Sequence, residues 1–153
     1  MNEMKQYIGT KILDAKPMSR GEYNAYRGWP ILCDEDQAAE GYLVRYQLDG
    51  YESWSPKTVF ETAYRRTDGL NFGLALEAAK MGKKISRQGW NGKGQYVELG
   101  RSFAYFTDGE EIHDTHHEDI GSTALVFVGT RGRQVGWLAS QADMLADDWY
   151  IVE

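Results

Sequence analysis

The sequence predicts an α+β protein with a small α+β N-terminal domain over residues 1–67. Over 68–153 it predicts a second domain, in which an N-terminal helix is followed by an antiparallel β-sheet. Three observations carry this. Capping residues stand just before helix-period apolar patterns, at Ser19 and at Asn71. Short alternating runs are separated by Asp-Gly and other glycine-bearing turns, as in antiparallel hairpins. The segment "RRTDG", Arg65 to Gly69, sets a charged turn between two helical patterns, where a domain boundary is expected.

In chain order, "YIGTKILDA" from Tyr7 is a β-prone opening, and "SRGEYNAYRG" reads as a short helix entered at Ser19. The loop "CDEDQAAE" is expected on the solvated surface. "GYLVRYQLDGYESWS" reads as a hairpin, with strands from Tyr42 and Tyr51 about the Asp49–Gly50 turn. Ser55 before Pro56 predicts a helix entrance, a capping hydroxyl followed by proline at the first helical position. Val59, Phe60, Ala63 and Tyr64 then form one apolar stripe.

The second domain opens with "NFGLALEAAKMGKK", capped by Asn71 and ended by Gly82 in a left-handed conformation. Phe72, Ala75, Leu76 and Ala79 make one apolar face, and Leu74, Ala78 and Met81 another. A surface helix needs only one, so this helix packs on two sides: against a second copy, or wholly within its own domain. Strands are expected in "QYVELG", in "SFAYF" ending at Asp108–Gly109, in the buried-type run "TALVFVG", and in "RQVGWLA" after the Thr130–Gly132 turn. One or two helical turns capped by Ser140 precede a last strand, "WYIVE".

The totals exclude several functions. No apolar run in the 153 residues approaches the roughly 18 needed for a membrane span, and the polar N-terminus is not that of a secretory signal. Cys33 is the only cysteine, which excludes an internal disulfide and fits a reduced thiol in a cytosol. A net charge of −6 speaks against a general DNA or RNA binder, while leaving room for a small anion held by a few arginines and backbone N–H groups. The chain carries five Trp, ten Tyr and five Phe, which serve either as core or as stacking platforms for flat ligands.

The most informative stretch is "RQGWNGKGQYVELG", Arg87 to Gly100. A P-loop, G-x-x-x-x-G-K-[ST], requires a hydroxyl after its lysine and a helix behind it. Here Lys93 is followed by Gly94 and then by a strand pattern, so the P-loop reading fails. What remains is a turn with N–H groups open to an anion, flanked by Trp90 and Asn91. "HDTHHED" holds all three histidines, His113, His116 and His117, without a further His or Cys to complete a zinc site, and reads as a solvated loop. No metal and no cofactor are expected. In "GWLASQADMLADDW", Trp137 precedes a turn bearing Asp143, Met144, Asp147 and Asp148. Such carboxylates suit acid–base work, a capping box with Ser140, or hydrogen bonds to ribose. No G-x-S-x-G elbow occurs.

These two segments resemble the second Thoeris anti-defence family, a small phage-encoded domain. The resemblance spans Leu70 to Glu153, roughly half the chain, and rests on Arg-x-Gly-Trp-Asn-Gly-Lys-Gly and on Trp-Leu-Ala-Ser-Gln-x-Asp-Met-Leu-Ala-x-Asp-Trp. "SFAYFTDGEEIHDTHHEDIGS" between them follows no family pattern. The resemblance implies a sponge and not an enzyme: a homotetramer that binds a cyclic ADP-ribose-type immune signal at protomer junctions and holds it intact, with cyclic dinucleotides as a related ligand class. It implies action in the cytoplasm of an infected bacterium. Carried onto this chain, Trp90 and Trp137 would stack on bases, and Asn91, Gly92 and Ser140 would offer polar contacts. Asp143 and Asp147 would reach ribose hydroxyls, and Arg87 and Lys93 would meet phosphates. Nanomolar retention corresponds to roughly −12 kcal/mol. Two stacks at about 1–3 kcal/mol each fall short, so charge-assisted bonds must add much of the rest.

The first domain resembles a phage and prophage module of no assigned activity, and its Trp29, Trp54 and Tyr64 read as core. Two other functions stay open at this stage. One, implied by the same resemblance, is inhibition of a CRISPR nuclease, and the net acidic charge suits a basic target. The other is hydrolysis of the signal by Asp143 or Asp147.

Overall fold

The computed structural model describes residues 4–114 and 123–153. The chain divides into two compact units, Met1–Arg65 and Arg66–Glu153. Helices and antiparallel sheets occur in both, the α+β class the sequence predicts.

The N-terminal unit is built from β1 (Leu13–Pro17), α1 (Arg20–Arg27), β2 (Gly41–Tyr46), β3 (Glu52–Pro56) and α2 (Lys57–Ala63). Its strands form one antiparallel sheet in the order β1-β2-β3. Ser19 caps α1 through a complete capping box with Glu22, and Gly28 ends the helix in the left-handed region. Tyr23, Leu43 and Val44 form the buried apolar centre.

Five local expectations change here, each for a tertiary reason. Trp29, read as core, is exposed and only meets Tyr23 edge to face while Arg27 covers its ring. The opening strand starts at Leu13, not at Tyr7, because β2 ends at Tyr46, the partner of Leu13; Tyr7 and Ile8 have no strand beside them and are exposed. Ser55 does not cap α2, since it is still paired to Tyr42 within β3, and the capping position falls on Pro56, which has no acceptor. The apolar stripe of α2 narrows to half-buried Phe60 and Tyr64, with Phe60 stacked on Tyr42 at 4.3 Å between centroids, while Val59 and Ala63 are exposed. The acidic loop is not all surface. Glu35 turns inward to accept from Arg20 Nε at 2.7 Å and from the Nδ2 of buried Asn24 at 2.9 Å.

The C-terminal unit contains α3 (Phe72–Lys80), β4 (Lys84–Arg87), β5 (Tyr96–Arg101), β6 (Phe103–Phe106), β7 (Glu111–Asp114), β8 (Thr123–Gly129), β9 (Gly132–Val135), α4 (Gln141–Met144) and β10 (Trp149–Val152). Five strands form an antiparallel sheet in the order β10-β4-β5-β8-β9, and β6 and β7 make a separate hairpin. Asn71 Oδ1 accepts from Leu74 N at 2.9 Å, capping α3. Gly82, at φ +87°, turns the chain so that its N–H reaches Ala79 O and the next N–H reaches Ala78 O. Ala75, Ala78 and Ala79 are buried in the core with Leu70, Ile85, Val97 and Trp149. The alanine stripe thus packs inside its own unit, letting the helix lie close to the sheet, while Met81 is exposed.

Two strands escape the sequence reading. β4 has only four residues and no clean alternation, since Ile85 and Ser86 are both buried between β10 and β5. β7 is polar and gains its conformation from pairing with β6; it includes His113 and Asp114 of the histidine tract, whereas His116 and His117 lie outside the described residues. The run "TALVFVG" is an inner strand, yet only Val126 in it is fully buried, because its neighbour β9 is exposed along its whole length.

Candidate functional site

The two signature segments meet at the β10–β4 end of the sheet. Arg87 is the last residue of β4 and lies opposite Trp149, the first of β10. From that position its guanidinium reaches two carboxylates. Nη1 donates to Asp143 Oδ1 at 2.8 Å and Nε to Asp148 Oδ1 at 2.8 Å. The other oxygen of Asp148 accepts from the Gly89 N–H at 2.8 Å, which holds the start of the glycine loop against β10.

Asp143 is the hub. Its Oδ1 also accepts from Trp90 Nε1 at 3.0 Å, and its Oδ2 accepts from the Ser140 hydroxyl at 2.8 Å and from Ser140 N at 3.1 Å. Ser140 Oγ accepts in turn from Asp143 N, completing a capping box on the single turn of α4. The Asp143 carbonyl accepts from Trp149 Nε1 at 2.8 Å. Three indoles pack around this hub edge to face. Trp90 lies 5.9 Å from Trp137 and 5.4 Å from Trp149, ring centre to ring centre, and Phe127 closes the cluster 5.6 Å from Trp90. Trp149 is fully buried; Trp90 and Trp137 are half-buried.

The electrostatics follow from these bonds. Burial acts to raise the Asp143 pKa, but donation from Trp90, Arg87 and Ser140 outweighs it and holds the group at about 2. Asp148 is held below its ordinary value by Arg87, against burial and with help from the Gly89 N–H. Arg87 is pushed up by the hydrogen bonds it donates to Asp148 and Asp143. A carboxylate at about 2 is a weak general base near neutral pH, so Asp143 is badly suited to hydrolysis. Arg87 is paired through Nε and Nη1, and with one guanidinium facing two carboxylates the cluster keeps a net negative charge.

The structure therefore brings Arg87, Trp90, Trp137, Ser140 and Asp143 together, as partners of one another. Asn91, Gly92 and Lys93 follow on the loop between β4 and β5; Asn91 and Lys93 are exposed, and Gly92 rests on Gln95, where a Cβ would overlap the side-chain amide. Asp147 does not join the hub. The spacing from Asp143 to Asp147 suits one helix face, but α4 ends at Met144, and the chain then runs toward β10 with Asp148, not Asp147, turned to Arg87. Trp149 and Phe127 are the members that sequence reasoning missed, and Asp148, noted with the carboxylates of that turn, was passed over for Asp147 as a ligand contact. The repeated acid in "DDW" is the one local signal for Asp148, and choosing between the two aspartates requires the β10–β4 register. Among the described residues no group of three or more His, Cys, Asp or Glu stands close enough to hold a metal. No described helix is long and apolar enough to cross a membrane.

Fold and site together define the C-terminal unit as a compact α+β domain whose two signature segments are fastened into one Trp–Arg–carboxylate cluster. A family model described as the Thoeris anti-defense 2-like domain matches residues 70–152. A curated relative, Thoeris anti-defense 2 of Bacillus phage SP01, is 37% identical over 89 residues, covering 54% of this chain and 94% of the relative. The chain belongs to the Thoeris anti-defense 2-like family, and that membership supports an anti-Thoeris function.

Proposed function

We propose that this protein binds a cyclic nucleotide immune signal of the glycocyclic ADP-ribose type and sequesters it uncleaved, acting in the cytoplasm of an infected bacterium. Cyclic dinucleotides are the second ligand class on this reading. The observation that carries it is the match over residues 70–152, which takes in nearly all of a relative named for its action against Thoeris defence. Three physical features support it. Half-buried Trp90 and Trp137 are held in fixed orientations, so stacking a base on them costs little side-chain ordering. Asn91 and Lys93, just after Trp90, and Asp147, past α4, are exposed and offer polar groups to a ligand. The carboxylate best placed for chemistry, Asp143, is tied into bonds that suit positioning, not proton transfer.

The working form on this proposal is a homotetramer with ligand seated at protomer junctions. Exposed Val135, Leu138, Met144 and Leu145 support that, since they flank Trp137 and α4 and would be covered by a second copy.

The test is incubation of the purified chain with glycocyclic ADP-ribose and a panel of cyclic dinucleotides, followed by heat release and assay of what returns. Intact ligand in fixed ratio to protein is the expected result. Ligand returned cleaved, beyond one equivalent, would mean hydrolysis instead. No uptake at all would send the search to a protein target.

A further inference from the structure

We propose that the β8–β9 hairpin carries an anion-binding seat for one nucleotide half of the ligand, with Arg131 meeting its phosphate. The inference deepens the function proposed above and rests on it for the ligand's identity, though not for the seat itself.

Of the two cations in the glycine-loop signature, Arg87 already faces Asp143 and Asp148, which leaves exposed Lys93 as the one cation there for two phosphates. Two further arginines, Arg131 and Arg133, lie farther across the same sheet. β8 and β9 turn at Thr130–Arg131, and beside that turn is a solvent-open concavity of about 360 Å³ whose lining includes Gln95, Phe127, Arg131, Arg133 and Gln134. Strand pairing explains why these meet. Phe127 is opposite both Val97 and Gln134, and cross-strand partners share a face. Gln95, the residue just before β5, lines the concavity as well. This is the face on which Trp90 touches Phe127, and Gln95 is the residue on which Gly92 of the glycine loop rests. The concavity thus shares Phe127 and Gln95 with the surroundings of Trp90 and Gly92.

Its chemistry suits a phosphorylated nucleoside. Half-buried Phe127 gives an apolar floor for a base or ribose face. Gln95 and Gln134 bring one amide donor and one amide acceptor each. Gly129 and Gly132, facing each other across the turn, keep the rim low. Arg133 also borders the concavity, but its Nε is already paired with Glu98 Oε1 at 3.3 Å, which leaves Arg131 as the better phosphate ligand. Arg131 is exposed at the turn and, among the described residues, enters no ion pair. The volume sets the scale as well. Ligand sites run from about 300 to 1,000 Å³, so this one is small and holds part of a cyclic dinucleotide-sized molecule, the remainder lying toward Trp90.

Two readouts on the full chain test the seat separately from the sponge. The first follows backbone amide shifts during titration with ADP, for the wild type and for Arg131→Ala. The second measures uptake of glycocyclic ADP-ribose by wild type, Arg131→Ala and Arg131→Lys at low and at moderate salt, with melting temperatures as a fold control. The expected results are ADP-dependent shifts at residues 129–134 that Arg131→Ala abolishes, and signal affinity lowered at least about tenfold by Arg131→Ala, partly restored by Arg131→Lys, with a weaker salt dependence. Hairpin shifts with no uptake of the signal would keep the seat and overturn the sponge. Uptake that ignores Arg131, with the hairpin silent to ADP, would overturn the seat and keep the sponge. A wild-type chain that responds to neither ligand would overturn both.

Discussion

Both units fasten an arginine to carboxylate beside aromatic rings, and they do so with different reach. In the N-terminal unit Arg20 pairs with Glu35 at 2.7 Å while its guanidinium lies 5.2 Å from the Trp54 ring centre. That tie holds one loop against the helix it follows, and buried Asn24 shares the same carboxylate. In the C-terminal unit Arg87 binds Asp143 and Asp148 from 56 and 61 residues away, and three indoles pack round the junction. One device closes a local loop. The other joins strand, loop, cap and final strand, so its loss should be felt through the whole unit.

The largest expected effect tests that claim at its centre. Trp149→Ala removes a fully buried indole and the donor to the Asp143 carbonyl, and should cost about 4 kcal/mol of C-terminal stability in denaturant unfolding. A loss under about 1 kcal/mol would mean the indole cluster is not the keystone. Next comes Arg87→Ala, which strands two carboxylates that it now pairs; about 3 kcal/mol is expected in the same assay. Arg20→Ala should cost clearly less, because Glu35 keeps Asn24 and access to water. Equal losses at the two arginines would break the comparison.

Acid sharpens it further. Asp143 titrates at about 2 in the fold against an ordinary 3.8, so the depressed group adds stability that is fully present above 3.8. That contribution, on the order of 2 kcal/mol, is lost as pH falls through about 2. Unfolding free energies measured across that window should therefore fall steeply for the wild type and less steeply for Asp143→Asn. Parallel curves would show that Asp143 is not responsible. The smallest effects belong to the rim: Asn91→Ala and Asp147→Ala are exposed substitutions that should leave stability within about 0.5 kcal/mol. If the sponge reading is right, they should nonetheless weaken signal uptake. Trp90→Ala cannot serve for that purpose, because its indole is part of the fold through Asp143, Trp137 and Trp149.

Much of the fold was legible wherever one residue's chemistry acts on near neighbours. Ser19 with Glu22, Ser140 with Asp143, and Asn71 with Gly82 each mark a helix end through bonds spanning a few residues. The Asp49–Gly50 hairpin was legible for the same reason. Ser55 shows the limit even there: a sound capping pair was overruled because pairing with Tyr42 kept the residue in a strand.

The candidate site was half legible. The signatures point to Arg87, Trp90, Trp137, Ser140 and Asp143, and sequence alone sets their order, their capping chemistry and the composition that makes the region rich in indoles. It does not say what each of them touches. Arg87 reads as free for phosphate until β10 is laid antiparallel to β4, which brings Asp148 and Trp149 to its side and leaves Asp147 outside. The hairpin seat at Phe127 and Arg131 likewise exists only once β5, β8 and β9 share a register. Local bonds are encoded within a turn of the chain and can be read from it. Pairings across 56 or 61 residues depend on which strand lies beside which, and only the packed sheet decides that.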